Sequence, residues 1–182
     1  MDRIILFALL SLPVLAISWR TLFDPKGHGF YRFLSWEFII WLFVANFKLW
    51  FHNPFGFTQI ISWVFLFISG YLVVAGVMLL KKKGKPRKDR TEKTLYHFEK
   101  TSQLVDTGIY KFIRHPLYSS LLFLTWGIYF KDATGFLLIA AILSTTSLYL
   151  TAKAEEKECI KYFGAKYNEY IKRSKMFIPF IV

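Results

Sequence analysis

The sequence predicts an all-α integral membrane protein, with about five transmembrane helices followed by a carboxyl-terminal amphipathic helix at the cytoplasmic face. Three observations predict it. The 182 residues are 54% hydrophobic and 20% aromatic, with twenty Phe, ten Tyr and six Trp, more oily surface than a soluble domain of this size can cover. The oily residues fall into runs separated by charged segments. Those segments alternate between rich and poor in Lys and Arg, within a net charge of +12. A soluble globular enzyme, a disordered chain and a disulfide-stapled secreted domain are excluded on this composition. The single Cys159 can neither close an internal disulfide nor build a zinc site alone.

The first run, Ile4 to Trp19, holds 16 residues without a charge. Ala16-Ile17-Ser18 resembles a signal-peptidase cleavage pattern, but the charged segment before the run is only Met1-Asp2-Arg3, and Arg20 follows as a helix anchor does. The run is therefore read as a retained helix. The second, Phe33 to Phe51, is 19 residues with only Glu37 and Lys48 charged. It spans if Lys48 snorkels and Glu37 faces protein. The third, Phe57 to Leu80, has 24 uncharged residues, and the fifth, Ala133 to Ala152, has 20; both meet the roughly 20 residues that a bilayer core requires. The fourth, Leu117 to Phe130, has 14 and spans only by tilting or by thinning the bilayer.

Orientation follows from Lys and Arg. Segment 20–32 carries three, 52–56 none, 81–116 eleven, 131–132 one and the tail 153–182 seven. Alternate segments are basic, as five spans require. This puts the amino end outside and both the 81–116 loop and the carboxyl tail in the cytoplasm. It also divides the chain into a three-helix membrane scaffold (1–80), a basic cytoplasmic linker (81–103) and a working region (104–182) with a loop, a helical hairpin and a terminal helix. The linker attracts anionic lipid headgroups, at about 1 kcal/mol per charge near the surface. No stacking platform or recognition helix accompanies its charges, so nucleic acid is not an expected partner. Nothing in the sequence fixes an oligomeric state.

The chemistry-bearing residues lie after 103. Gly108 permits a turn that other residues resist, and Pro116 suits the first turn of a helix. Arg114, His115 and Tyr118, flanked by Tyr110, therefore gather at one helix entrance where lipid meets water. Glu155 and Glu156 directly follow the fifth run. Ile160, Phe163, Tyr167, Tyr170 and Ile171 recur at helical spacing, predicting one amphipathic helix through the tail. Counting back four from Ile160 puts Glu156 on its oily stripe, where a carboxylate needs a cationic partner. The fourth and fifth runs form a hairpin that returns the Glu pair to the face holding Arg114 and His115. Cations, carboxylates and aromatic faces together suit a zwitterion bearing a further positive charge, among many such ligands S-adenosylmethionine.

The stretch GIYKFIRHPLY (108–118), then EEKECIKYFGAKYNEY (155–170) and a terminal Met-Phe-Ile-Pro, resembles the membrane methyltransferases of the isoprenylcysteine carboxyl methyltransferase family, which includes phospholipid methyltransferase relatives. The resemblance covers roughly the last 80 residues, with motif order and spacing kept. It implies that S-adenosylmethionine, or its product S-adenosylhomocysteine, is held by Leu104, Val105, Gly108, Tyr110, His115, Tyr118 and Glu155. It also implies that Arg114 and Glu156 lie near the reacting centre as catalytic residues, and that a lipophilic acceptor from the bilayer receives the methyl group. Two positions depart from the family: Ser120 stands where a smaller residue is usual, and Lys153 is the nearest cation where an Arg often precedes the Glu pair. The alternatives are an NADPH-dependent sterol-type membrane reductase, suggested by the R-H-P-x-Y region and by Cys159 before Tyr162-Phe163-Gly164, and a non-catalytic scaffold of the same fold.

Overall fold

A computed structural model describes residues 2–25, 27–84 and 101–181. Among them the chain forms six α-helices: α1 (Arg3–Ser18), α2 (His28–Asn46), α3 (Phe57–Lys83), α4 (Pro116–Tyr129), α5 (Gly135–Phe163) and α6 (Ala165–Arg173). No strand is named among them. Lys26 and the linker cations Lys85, Arg87, Lys88, Arg90, Lys93 and Lys100 lie outside the described residues.

Each helix has a local cause. The Asp2 side chain caps α1 by accepting from the Ile4 N–H at 3.2 Å, as short acidic residues do at helix starts. Pro116 occupies the first turn of α4, where its missing N–H costs nothing. α2 begins five residues before the second oily run and ends at Asn46, where a 3₁₀ turn (Phe47–Leu49) takes over. Among the described residues two helices are long and apolar enough to cross a membrane, α3 and α5, and α1 is a shorter apolar helix. Large apolar side chains on α3, Phe67, Tyr71, Val74 and Met78, are exposed, as they are where lipid rather than water is the surrounding solvent.

The helices pair as α3 on α4 and α2 on α5, with α1 against α2. Ile39, Leu42, Ile128, Tyr129, Leu137, Ala140 and Ala141 form the main core. Small polar residues join the helices, as is common between helices in lipid. The Ser144 hydroxyl lies 3.0 Å from both Ser35 Oγ and Thr125 Oγ1, tying α5 to α2 and α4. Ser62 donates to the Gly127 carbonyl at 2.6 Å and Ser69 to the Ser120 carbonyl at 2.7 Å, tying α3 to α4.

The tail is two helices rather than one. Gly164 adopts φ +62°, a backbone conformation that ends α5 at Phe163 and turns the chain into α6. The oily stripe continues across the break, with Tyr167 and Tyr170 both buried.

Helix lengths place the site. α4 has 14 residues and α5 has 29. At about 1.5 Å per residue α5 outruns its neighbour by roughly 20 Å. Its last turns therefore stand opposite the loop that leads into α4, and not opposite α4 itself.

Candidate functional site

The loop before α4 is held by the end of the chain. Lys175 donates its backbone N–H to the Phe112 carbonyl at 2.9 Å, and the backbone N–H groups of Arg114 and His115 donate to the carbonyls of Lys175 at 2.7 Å and Met176 at 3.2 Å. Ile113 and Lys175 form an isolated parallel bridge. The Ser119 hydroxyl donates to the Phe177 carbonyl at 2.8 Å, and Met176 and Phe177 pack with Tyr118, Leu148 and Ala152. The terminal Met-Phe-Ile-Pro thus straps the Arg-His-Pro-x-Tyr segment in place.

Gly108 opens a 3₁₀ turn (Gly108–Lys111) at φ +62°. A side chain there would meet Leu79 at 2.7 Å. The turn carries Tyr110 inward, and the Tyr170 hydroxyl donates to the Tyr110 carbonyl at 2.5 Å. Burial raises the pKa of both Tyr167 and Tyr170 and keeps them neutral phenols.

The two glutamates take different partners. Arg114 donates from Nε to Glu156 Oε1 at 2.7 Å. Its Nη1 donates to the carbonyls of Ile171, at 3.3 Å, and of Ser174. Glu156 is 5% exposed and so has the cationic partner that its place on the stripe demands. His115 sits between the carboxylates: Nδ1 is 3.6 Å from Glu155 Oε2 and Nε2 is 3.6 Å from Glu156 Oε1. At that length these are charge contacts rather than hydrogen bonds, and Nε2 has no hydrogen-bond partner. Burial opposes a charged imidazole, but Glu155 and Glu156 outweigh it, and the His115 pKa is raised from 6.5. The His115 ring stacks on Tyr118 with centroids 5.5 Å apart and planes 19° from parallel. Lys153 Nζ lies 3.6 Å from Glu156 Oε2.

One cavity of about 80 Å³ collects most of the expected residues. Leu104, Val105, Tyr110, Arg114, His115, Tyr118 and Glu155 line it, joined by Cys159, Phe163, Tyr167 and Tyr170. Leu104 and Phe163 also border a polar cleft of about 470 Å³ that includes Asp106, Lys166, Glu169 and Arg173. Two expected residues lie off the cavity wall: Gly108 shapes the turn behind it, and Glu156 backs Arg114 and His115. Among the described residues, no group of three or more His, Cys, Asp or Glu is placed to hold a metal ion.

The sequence offers few candidate chemical groups in the first 80 residues. The fold brings His28 and Arg32, both buried, to the same end of the molecule. His28 Nδ1 is 3.0 Å from both carboxylate oxygens of Glu158. The available signal was their position just before the second oily run, on the basic segment assigned to the face of the 81–116 loop and the tail.

Comparison with known proteins adds a family. The family model for phospholipid methyltransferase matches residues 58–166. Methanethiol S-methyltransferase of Pseudomonas deceptionensis is 34% identical over 71 residues, 39% of this chain and 26% of that protein. Methanethiol S-methyltransferase 1 of Bradyrhizobium diazoefficiens is 37% identical over 71 residues, 39% of this chain and 24% of that protein. The matched stretch thus spans about a quarter of these curated relatives. No solved structure matches.

Proposed function

The chain belongs to the phospholipid methyltransferase family, and we propose that it transfers a methyl group from S-adenosylmethionine to a small lipophilic acceptor at the cytoplasmic membrane face. The observation that carries the reading is His115. It is buried, its Nε2 has no hydrogen-bond partner, and it lies on a cavity wall beside Glu155, Tyr110 and Tyr118.

The donor set fits this cofactor. The Glu155 carboxylate accepts from an ammonium or a ribose hydroxyl, an imidazole N–H donates to a carboxylate, and aromatic faces hold a sulfonium. Size fits only with the cleft included, since ligand pockets hold about 300–1,000 Å³ and the inner cavity is about 80 Å³. The inner cavity suits the reacting end, and the cleft shared through Leu104 and Phe163 suits the rest. Bound there, S-adenosylmethionine supplies an electrophilic methyl group on a positively charged sulfur.

In this reading the chain aligns the reactants and excludes water. Tyr118, Tyr110 and Phe163 wall off solvent and present electron-rich faces. Arg114 and Glu156 act by positioning, because the guanidinium is already engaged by Glu156 and two carbonyls. Their pairing fixes the helix carrying Glu155 against the loop carrying His115. The five-span topology, with the amino end outside and the tail cytoplasmic, belongs to the same proposal, as does contact of the basic linker with anionic headgroups. The thiol in the names of the relatives, methanethiol, makes a thiol the first acceptor to test.

The test is label transfer. Purified protein in nanodiscs is given methyl-labelled S-adenosylmethionine with methanethiol or with extracted membrane lipid. Label is expected in a volatile or organic-extractable product, lost in His115→Ala. Label that stays with the donor for every acceptor, in protein that remains folded, contradicts the reading.

A further inference from the structure

A cavity of about 270 Å³ lies between α1, α2 and α5, with Glu37 on its wall. Glu37 is the central residue of α2, about 13 Å along the axis from either end, and so lies at membrane depth in the five-span topology proposed above. One of its carboxylate oxygens is satisfied: Ser11 of α1 donates from Oγ to Glu37 Oε2 at 2.6 Å. The other, Oε1, is buried and has no hydrogen-bond partner. Among the described residues, Glu37 is the one charged group on the cavity wall. The rest of the lining is apolar, and Phe7, Phe38, Trp41 and Phe136 supply aromatic rings. Phe7 and Trp41 meet edge to face, with centroids 5.6 Å apart and planes at 84°. On α5, Phe136, Ile139 and Leu143 line the cavity and are exposed, so its mouth opens toward lipid.

We infer that this cavity is a second ligand site, separate from the methyl-transfer site, and that it takes a short-chain aliphatic amine as its ammonium. A carboxylate inside a membrane is costly unless a partner is supplied. Ser11 gives Glu37 a hydrogen bond but no positive charge. An ammonium gives both, an N–H for Oε1 and a charge opposite the carboxylate. The aromatic rings attract the same cation through their faces. An alcohol would satisfy Oε1 and leave the charge unbalanced, and an anion would be repelled. The apolar mouth suits the aliphatic chain. The volume is below the usual range of about 300–1,000 Å³ for ligand pockets, which admits a short chain and excludes a whole phospholipid.

The site is distinct from the one described above. The two cavities share no lining residue, and Leu143 lies about 18 Å along α5 from Glu155. The inference therefore does not rest on the cofactor reading.

The test is saturation binding of labelled hexylamine, an ammonium at pH 7, to the full chain in nanodiscs, with empty nanodiscs as background. Hexanol is the neutral comparison. Saturable binding of hexylamine is expected in wild type, at least tenfold tighter than hexanol and unaffected by S-adenosylhomocysteine. Glu37→Gln keeps an acceptor for Ser11 and removes the charge; it is expected to weaken binding at least tenfold. Leu143→Trp fills the mouth and leaves the carboxylate intact; it is expected to weaken binding at least fivefold. Equal affinity in wild type and a folded Glu37→Gln overturns the proposal, and if that variant does not fold, equal affinity in Leu143→Trp does so. Hexanol binding as tightly as hexylamine overturns the ammonium class. Displacement of hexylamine by S-adenosylhomocysteine moves the amine to the inner cavity and overturns the second site, as does the absence of saturable binding in wild type.

Discussion

His28 and Glu158 are 130 residues apart in sequence, yet His28 Nδ1 lies 3.0 Å from both Glu158 carboxylate oxygens. The contact joins the first residue of α2 to the last turns of α5. Glu158 is three positions beyond Glu155, on the same helix face, so that face meets His115 at one turn and His28 at the next. Removing the imidazole leaves Glu158 short of a partner, at a cost of about 1–3 kcal/mol. His28→Ala is expected to lower the Tm in detergent and to weaken S-adenosylhomocysteine binding several-fold, with His28→Asn milder in both. Unchanged Tm and affinity in His28→Ala contradict a bracing role.

The Arg114–Glu156 pair is buried on both sides, with side chains 8% and 7% exposed. Breaking such a pair costs about 3–5 kcal/mol, because it strands a charge. Arg114 also engages the carbonyls of Ile171 and Ser174, so the loss reaches the tail. Glu156→Ala is expected to speed tryptic cleavage near Lys172 and Arg173 and to lower the Tm. The double variant Arg114→Met with Glu156→Leu is expected to be less damaging than either single change. Equal cleavage rates in wild type and Glu156→Ala contradict this.

The pH dependence has a definite sign. Burial lowers the affinity of His115 for a proton, but the flanking carboxylates outweigh it and raise the pKa above 6.5. A raised histidine pKa contributes stability that is complete below the unfolded value and disappears as pH rises through the folded value. The Tm is therefore expected to fall as pH increases from 6.5, and this component is expected to be absent in His115→Gln. A variant whose Tm follows the wild-type pH profile contradicts the charged bridge.

Gly164 turns α5 into α6 at φ +62°, with no atom within 4 Å of where a Cβ would stand. Gly164→Ala therefore tests backbone strain without a clash, and about 1–3 kcal/mol is expected. Thermal unfolding of the variant measures it directly. No loss of Tm contradicts the strained turn.

The legible parts were those with a short-range signal. Pro116 marked the start of α4, and the 24 uncharged residues before Lys81 marked α3. Counting helical turns back from Ile160 gave Glu156 a buried face and a cationic partner. What was hidden depended on packing. The oily stripe continues across Gly164, so periodicity read two helices as one. Ser174 to Phe177 carry no strand pattern, yet they strap the loop 112–115, because only the folded hairpin brings them alongside it. Arg32 counted only as one cation of the basic segment 20–32, and His28 carried no signal, until α2 packed on α5 and brought both to the end of the molecule that holds the site.

The most direct measurement is calorimetric titration of the detergent-purified protein with S-adenosylhomocysteine, run beside NADPH. The predicted result is micromolar binding of S-adenosylhomocysteine, abolished in His115→Ala and Glu155→Ala, with no heat from NADPH. Binding of NADPH alone, or of neither ligand by protein shown to be folded, would contradict the central claim.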